Sequence, residues 1–127
     1  MNNKKVLIVD DAAIMRLLIK KMLNKYGFTH IIEAETAYDA IELYKKIKPD
    51  FVTMDITMPM KNRLHDGVEA VRQIKQFDKN AKIIMITSHG EQDKVIEAIK
   101  AGAVNYILKP IKEEKVKEVI EKLELGE

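Results

Sequence analysis

Five side chains able to do chemistry recur at the same place in the hydropathy pattern: Asp10, Asp11, Asp55, Thr87 and Lys109. Each stands just past a short apolar run. Val6-Leu7-Ile8-Val9 runs into Asp10-Asp11, and Phe51-Val52-Thr53-Met54 into Asp55. Lys82-Ile83-Ile84-Met85-Ile86 runs into Thr87-Ser88, and Asn105-Tyr106-Ile107-Leu108 into Lys109-Pro110. Three crowded carboxylates repel one another unless a cation joins them. Oxygen donors without His or Cys suit a hard cation, Mg²⁺ more than zinc. A cation, a lysine and a hydroxyl around one carboxylate also suit a phosphoryl group, because they neutralise its oxygens. The acid itself can serve as nucleophile and become an aspartyl phosphate.

Plainer uses compete with this chemistry. Asp10 or Asp11 can N-cap a following helix, although a cap needs one acid and not two. Asp55 can satisfy the N–H groups of a turn. Thr87-Ser88 can be a strand-to-helix cap, Lys109 a solvated turn residue and Tyr106 a core aromatic. His30, His65 and His89 have no ligand spacing and read as surface residues, and the methionines read as core filler.

The elements decide whether the five groups meet. The unbroken run Val6–Val9 predicts a strand buried on both faces, as in a parallel sheet. Ile14, Leu17, Leu18, Met22 and Leu23 recur at helical spacing and predict a helix stopped by Gly27. His30–Ala34 predicts a second strand that offers little chemistry at its end. Thr36 is a suitable N-cap for a helix with Ala40, Ile41, Tyr44 and Ile47 on one face, closed by Pro49. After the Asp55 strand, the polar stretch Lys61–Gly67 leads to a helix with Val68, Val71, Ile74 and Phe77. The strand Lys82–Ile86 precedes a helix carrying Val95, Ile96 and Ile99 that ends at Ala101-Gly102. Asn105–Leu108 is the fifth strand, and the last helix carries Val116, Val119, Ile120 and Leu123. Strand and helix alternate throughout, which calls for a parallel sheet with helices on both faces. In such a sheet the functional groups lie beyond the carboxyl ends of the strands, and that is where the five residues fall.

At 127 residues the chain is sized for one domain with a real core. Its net charge of +2 is spread without a basic block, so nucleic acid is not an expected partner. The absence of cysteine excludes disulfides, thiolate metal sites and cysteine nucleophiles, and fits an intracellular setting. The apolar run after Met1-Asn2-Asn3-Lys4-Lys5 is too short for a signal-peptide core or a membrane span.

The ordered set Val9-Asp10-Asp11, Met54-Asp55-Ile56-Thr57-Met58-Pro59, Thr87-Ser88, Ala101-Gly102-Ala103 and Tyr106-Ile107-Leu108-Lys109-Pro110 resembles the receiver domains of two-component response regulators. The resemblance covers essentially the whole chain. Val9 through Arg16 and Met54 through Pro59 are similar to the chemotaxis, CheY-type branch. It implies an α/β fold, a five-stranded doubly wound parallel sheet in the order 2-1-3-4-5, with residues 1–127 forming one receiver domain. It implies Asp55 as phosphoacceptor. Asp11, Asp55 and the backbone carbonyl of Thr57 would bind Mg²⁺, with Asp10 acting directly or through water. Lys109 would contact the phosphoryl oxygens, Thr87 would move toward them, and Tyr106 would turn inward into the space Thr87 leaves. The Lys109–Pro110 peptide is expected to be cis.

The expected function is that of a stand-alone switch. A histidine kinase phosphorylates Asp55, and the protein then binds a flagellar motor switch protein or another protein target, with a phosphatase as a further partner. A cytoplasmic monomer without membrane contact is expected, one that assists only its own phosphorylation and dephosphorylation and is otherwise no enzyme. The alternative is a phosphorelay intermediate that hands the group to another histidine protein. An aspartyl-nucleophile phosphatase of the haloacid-dehalogenase type wants a second acid two residues on, where Thr57 stands. A nucleotide-binding enzyme lacks its Gly-rich loop, since the five glycines are scattered. Two departures from the family pattern stand out. Asp66-Gly67 comes about four residues late, a length that surface loops tolerate, and the extra stretch brings Lys61 and Arg63 toward the acids. His89 follows Thr87 by two residues, where it either touches an attacking water or faces solvent.

Overall fold

The computed structural model describes residues 2–56 and 67–125. Five strands alternate with five helices: β1 (Asn2–Val9), α1 (Ala13–Lys25), β2 (Phe28–Ala34), α2 (Ala37–Ile47), β3 (Phe51–Asp55), α3 (Gly67–Phe77), β4 (Ile83–Thr87), α4 (Gln92–Ala101), β5 (Asn105–Leu108) and α5 (Glu113–Leu125). The strands form one parallel sheet in the order β2-β1-β3-β4-β5. The chain moves outward from β1 to β2, then returns past β1 to build the other side. The reversal lies between β1 and β3, the place beyond the strand ends where sheets of this kind bind their ligands.

Alternation along the strands splits the core in two. Leu7, Val9, Val52, Met54, Ile83 and Met85 face one side, where α2, α3 and α4 supply Ile41, Tyr44, Val71, Ile74 and Ala98. Val6, Ile8, Phe51, Ile84 and Ile86 face the other, against Ile19 and Leu23 of α1 and Val119 and Ile120 of α5. Successive strand residues point to opposite faces, so a continuous apolar run is what a doubly covered strand requires. Val6 through Val9 are at most 1% exposed, as that run predicts.

Helix ends follow their local chemistry. Thr36 Oγ1 accepts the Asp39 N–H at 3.0 Å and caps α2. The Lys109–Pro110 peptide is cis.

Two helices present faces that differ in part from those predicted. On α1, Met22 and Leu23 are buried as predicted, but Ile14, Leu17 and Leu18 are exposed, and Arg16 and Ile19 complete the buried face. The helix carries two apolar stripes, and the buried one contains an arginine that pairs with the Asp10 carbonyl and with Glu33 at the rim. On α4 only Ala98 is fully buried; Ile96 and Ile99 are exposed and line a groove instead of the core. Phe77 is likewise exposed, although its ring meets the edge of Tyr44 at 6.4 Å.

Candidate functional site

Asp10 is the first residue past β1. Its N–H donates to the Ala34 carbonyl at 3.1 Å, which extends the β1–β2 pairing by one step. Its carboxylate turns back, and Oδ1 accepts the Ala12 N–H at 2.9 Å, the local turn that aspartate favours. The alternative read from the sequence, capping of α1 by Asp10 or Asp11, is not realised: the N-cap position is Ala12, and among the described residues no side chain caps the helix. The other oxygen, Oδ2, is buried and has no hydrogen-bond partner among the described residues.

Asp55 ends β3 and is 4% exposed, while Asp11 is exposed. Asp10, Asp11 and Asp55 each present a carboxylate oxygen, and these lie within 4.8 Å of one another. Lys109 Nζ reaches Asp55 Oδ1 at 3.3 Å. The Lys109 N–H also donates to the Thr87 carbonyl at 2.6 Å, tying the end of β5 to the end of β4.

Burial pushes the Asp55 carboxyl up to about 6; the neighbouring Asp10 charge adds to this, and Lys109 only partly opposes it. Burial also raises Asp10, against the Ala12 N–H and Lys109, with Asp11 adding to the rise. One ammonium does not balance three acids. A buried carboxylate oxygen without a partner is costly, and it belongs to one of the three clustered acids. That donor set fits a hard divalent cation.

Thr87 is 2% exposed at the end of β4, on the same rim, and its hydroxyl lies 3.2 Å from Glu91 Oε1 and 3.3 Å from the Ser88 carbonyl. Tyr106 lies outward on β5, 44% exposed. Thr87, Tyr106, Val95, Ile96 and Ile99 line a groove of about 640 Å³ between α4 and β5. His89 borders that groove and is exposed, as is His30. Thr57, Lys61, Arg63, His65 and Asp66 lie outside the described residues.

Three contributors escaped the sequence reading. Arg16 is buried; its Nη1 donates to the Asp10 carbonyl at 2.8 Å and its Nε to Glu33 Oε1 at 2.9 Å. The end of β2, read as offering little, therefore supplies the acid that holds Arg16 against Asp10. An arginine in register with Ile19 and Leu23 was the available signal, since a buried guanidinium needs partners. Glu91 also accepts the Ser88 N–H at 2.7 Å. Its spacing in Ser88-His89-Gly90-Glu91 is that of a capping box. Gly67 opens α3 where a Cβ would stand 2.4 Å from the Asp55 carbonyl oxygen.

The model of the response regulator receiver domain matches residues 6–121. The chain belongs to that family. The receiver domain is 50% identical to the chemotaxis protein CheY of Bacillus subtilis, an alignment covering 93% of this chain and 95% of that one. It is 31% identical to the sporulation initiation phosphotransferase F of the same organism, covering 96% and 94%. Among solved structures it is similar to the CheX-CheY-BeF3-Mg complex from Borrelia burgdorferi, with a TM-score of 0.85, 34% identity and coverage of 94% of this chain and 88% of that one. No helix of the described residues is long and apolar enough to cross a membrane.

Proposed function

We propose that this receiver domain accepts a phosphoryl group from a histidine kinase on Asp55 and thereby changes its binding to a protein partner in chemotaxis and flagellar motor control. The observation that carries the proposal is the buried Asp55 carboxylate at the centre of the rim, with Lys109 Nζ at 3.3 Å and two further acids beside it. An Asp55 oxygen forms the new O–P bond as the P–N bond of the donor phosphohistidine breaks. The imidazole nitrogen keeps the electron pair and takes a proton from solvent. Lys109 faces the phosphoryl oxygens as the charge spreads over them. Mg²⁺ bound by Asp10, Asp11, Asp55 and the Thr57 carbonyl would supply further positive charge against the same oxygens.

Thr87 then donates to the phosphoryl group, and Tyr106 turns into the space beside β5. The groove between α4 and β5 is where a partner reads the change. The same residues assist hydrolysis of the aspartyl phosphate, and a phosphatase can speed it; the protein turns over no external substrate. The relatives named for chemotaxis support this reading, and so does a related structure that holds beryllofluoride and magnesium. We place the protein in the cytoplasm as a monomer.

A second reading has its own support in the relative named a phosphotransferase: a relay intermediate that passes the phosphoryl group to another histidine protein. One experiment separates the two. The protein is phosphorylated by a chemotaxis histidine kinase and presented to a flagellar motor switch protein and to a histidine phosphotransfer protein. Phosphorylation-dependent capture by the motor protein supports the first reading. Transfer of the group onto the phosphotransfer protein supports the second, and neither result contradicts both.

A further inference from the structure

The Thr87 hydroxyl has one proton to give, and Glu91 is the side chain within its reach. Oγ1 lies 3.2 Å from Glu91 Oε1, and the Ser88 carbonyl at 3.3 Å is its other acceptor. The same Glu91 oxygen accepts the Ser88 N–H at 2.7 Å. One carboxylate oxygen thus holds both the last residue of β4 and the residue after it.

The backbone is shaped to bring Glu91 there. The Glu91 N–H closes a turn onto the Ser88 carbonyl at 3.3 Å, and Gly90 sits at φ +90°, a conformation that residues with a Cβ rarely adopt. Added atoms at Gly90 would meet nothing within 4 Å, so the backbone angle and not space explains the glycine. A carboxylate is also favoured just ahead of α4, at the positive end of the helix.

We propose that Glu91 is a positioning residue that holds the Thr87 hydroxyl in its resting direction and competes with the phosphoryl group for it. The inference rests on the reading of Thr87 as the partner of a phosphoryl group on Asp55. A hydroxyl cannot donate to Glu91 and to the phosphoryl oxygens at once. Engagement therefore breaks the Thr87–Glu91 bond, and the strength of that bond sets how readily the site takes its active arrangement. The Ser88 N–H remains on Glu91 when Thr87 leaves, so the start of α4 stays anchored while the hydroxyl moves.

The test uses beryllofluoride with Mg²⁺ as the phosphoryl mimic and measures its affinity by NMR titration. Glu91→Ala should bind it about two- to tenfold more tightly than the parent protein, the worth of one net hydrogen bond. Glu91→Gln keeps an acceptor without the charge and should fall between the two. Charge alone is controlled by repeating the comparison with Thr87→Ala. Thr87→Ala combined with Glu91→Ala should bind no more tightly than Thr87→Ala alone. An unchanged affinity for Glu91→Ala would overturn the inference. So would a gain of equal size in the Thr87→Ala background, because Glu91 would then act as a repelling charge. Asp55→Asn is the separate control: if it binds the mimic as well as the parent, the Asp55 assignment fails and the inference with it. If Asp55→Asn loses binding and Glu91→Ala shows no gain, only the inference fails.

Discussion

Asp55 ionises against its surroundings, because burial and the neighbouring Asp10 oppose its charge more than Lys109 favours it. Its proton affinity is higher folded, at about 6, than the ordinary 3.8 expected unfolded. Such a group favours folding fully below pH 4 or so, and that contribution is lost as pH rises through about 6. Without Mg²⁺, Asp55→Asn should therefore stabilise the protein at pH 7.5 by on the order of 2 kcal/mol. The midpoint of thermal unfolding should rise by about 7 °C in the presence of a chelator, and the gain should vanish near pH 4. Equal midpoints at pH 7.5 would contradict the strain assigned to Asp55. Asp11 is exposed and answers differently. Asp11→Ala should weaken Mg²⁺ at least about tenfold by removing a charged oxygen donor. It should leave stability within about 0.5 kcal/mol, as surface substitutions generally do. An unchanged Mg²⁺ titration would mean that Asp11 is no ligand. The acids, Lys109 and Thr87 were legible in the sequence because each terminates an apolar run. Arg16 and Glu91 were missed although each left a signal: Arg16 lies in register with Ile19 and Leu23, and Glu91 stands at capping-box spacing from Ser88.

At the scale of elements, strand existence and order of appearance were plain in the apolar runs, whereas the face of α1 was read only in part, through Met22 and Leu23, and Ile96 and Ile99 of α4 proved exposed. Helical spacing in α1 fits either of two stripes. The choice between them is made by Arg16, whose burial is compensated by the Asp10 carbonyl and Glu33. Ile14→Ala should accordingly change stability by less than about 0.5 kcal/mol, and Leu23→Ala should cost about 2–5 kcal/mol. Chemical denaturation of the two variants checks the assignment; the reverse ranking would contradict it. The start of α3 is held by a different constraint. A Cβ at Gly67 would lie 2.4 Å from the Asp55 carbonyl oxygen and 2.9 Å from that of Ile56. Both are backbone atoms at the end of the site strand and just past it, and cannot swing aside as a side chain can. Gly67→Ala should destabilise by about 1–3 kcal/mol, as overpacking does. A variant as stable as the parent would show that α3 docks more loosely.

Across the whole molecule, the parallel doubly wound sheet was legible because five apolar runs alternate with five helical patterns. The strand order rested on the family resemblance, since alternation alone permits other orders. The sheet sets the reversal of strand order between β1 and β3 and so brings Asp10 and Asp55 to one place from positions 45 residues apart. Thr87 and Tyr106 sit one and two strands further out, between that place and the groove against α4. A partner that prefers the inward state of Tyr106 shifts the balance only by its differential affinity. Thr87→Ala and Tyr106→Ala should each leave Asp55 able to accept a phosphoryl group yet weaken the gain in partner binding produced by beryllofluoride. If both keep the full gain, the signal leaves the site by another route. All of this depends on Asp55 being the acceptor, and mass spectrometry of the intact protein after incubation with acetyl phosphate and Mg²⁺ tests that directly. The parent protein should gain one phosphoryl group and Asp55→Asn none; equal labelling of the variant would contradict the account.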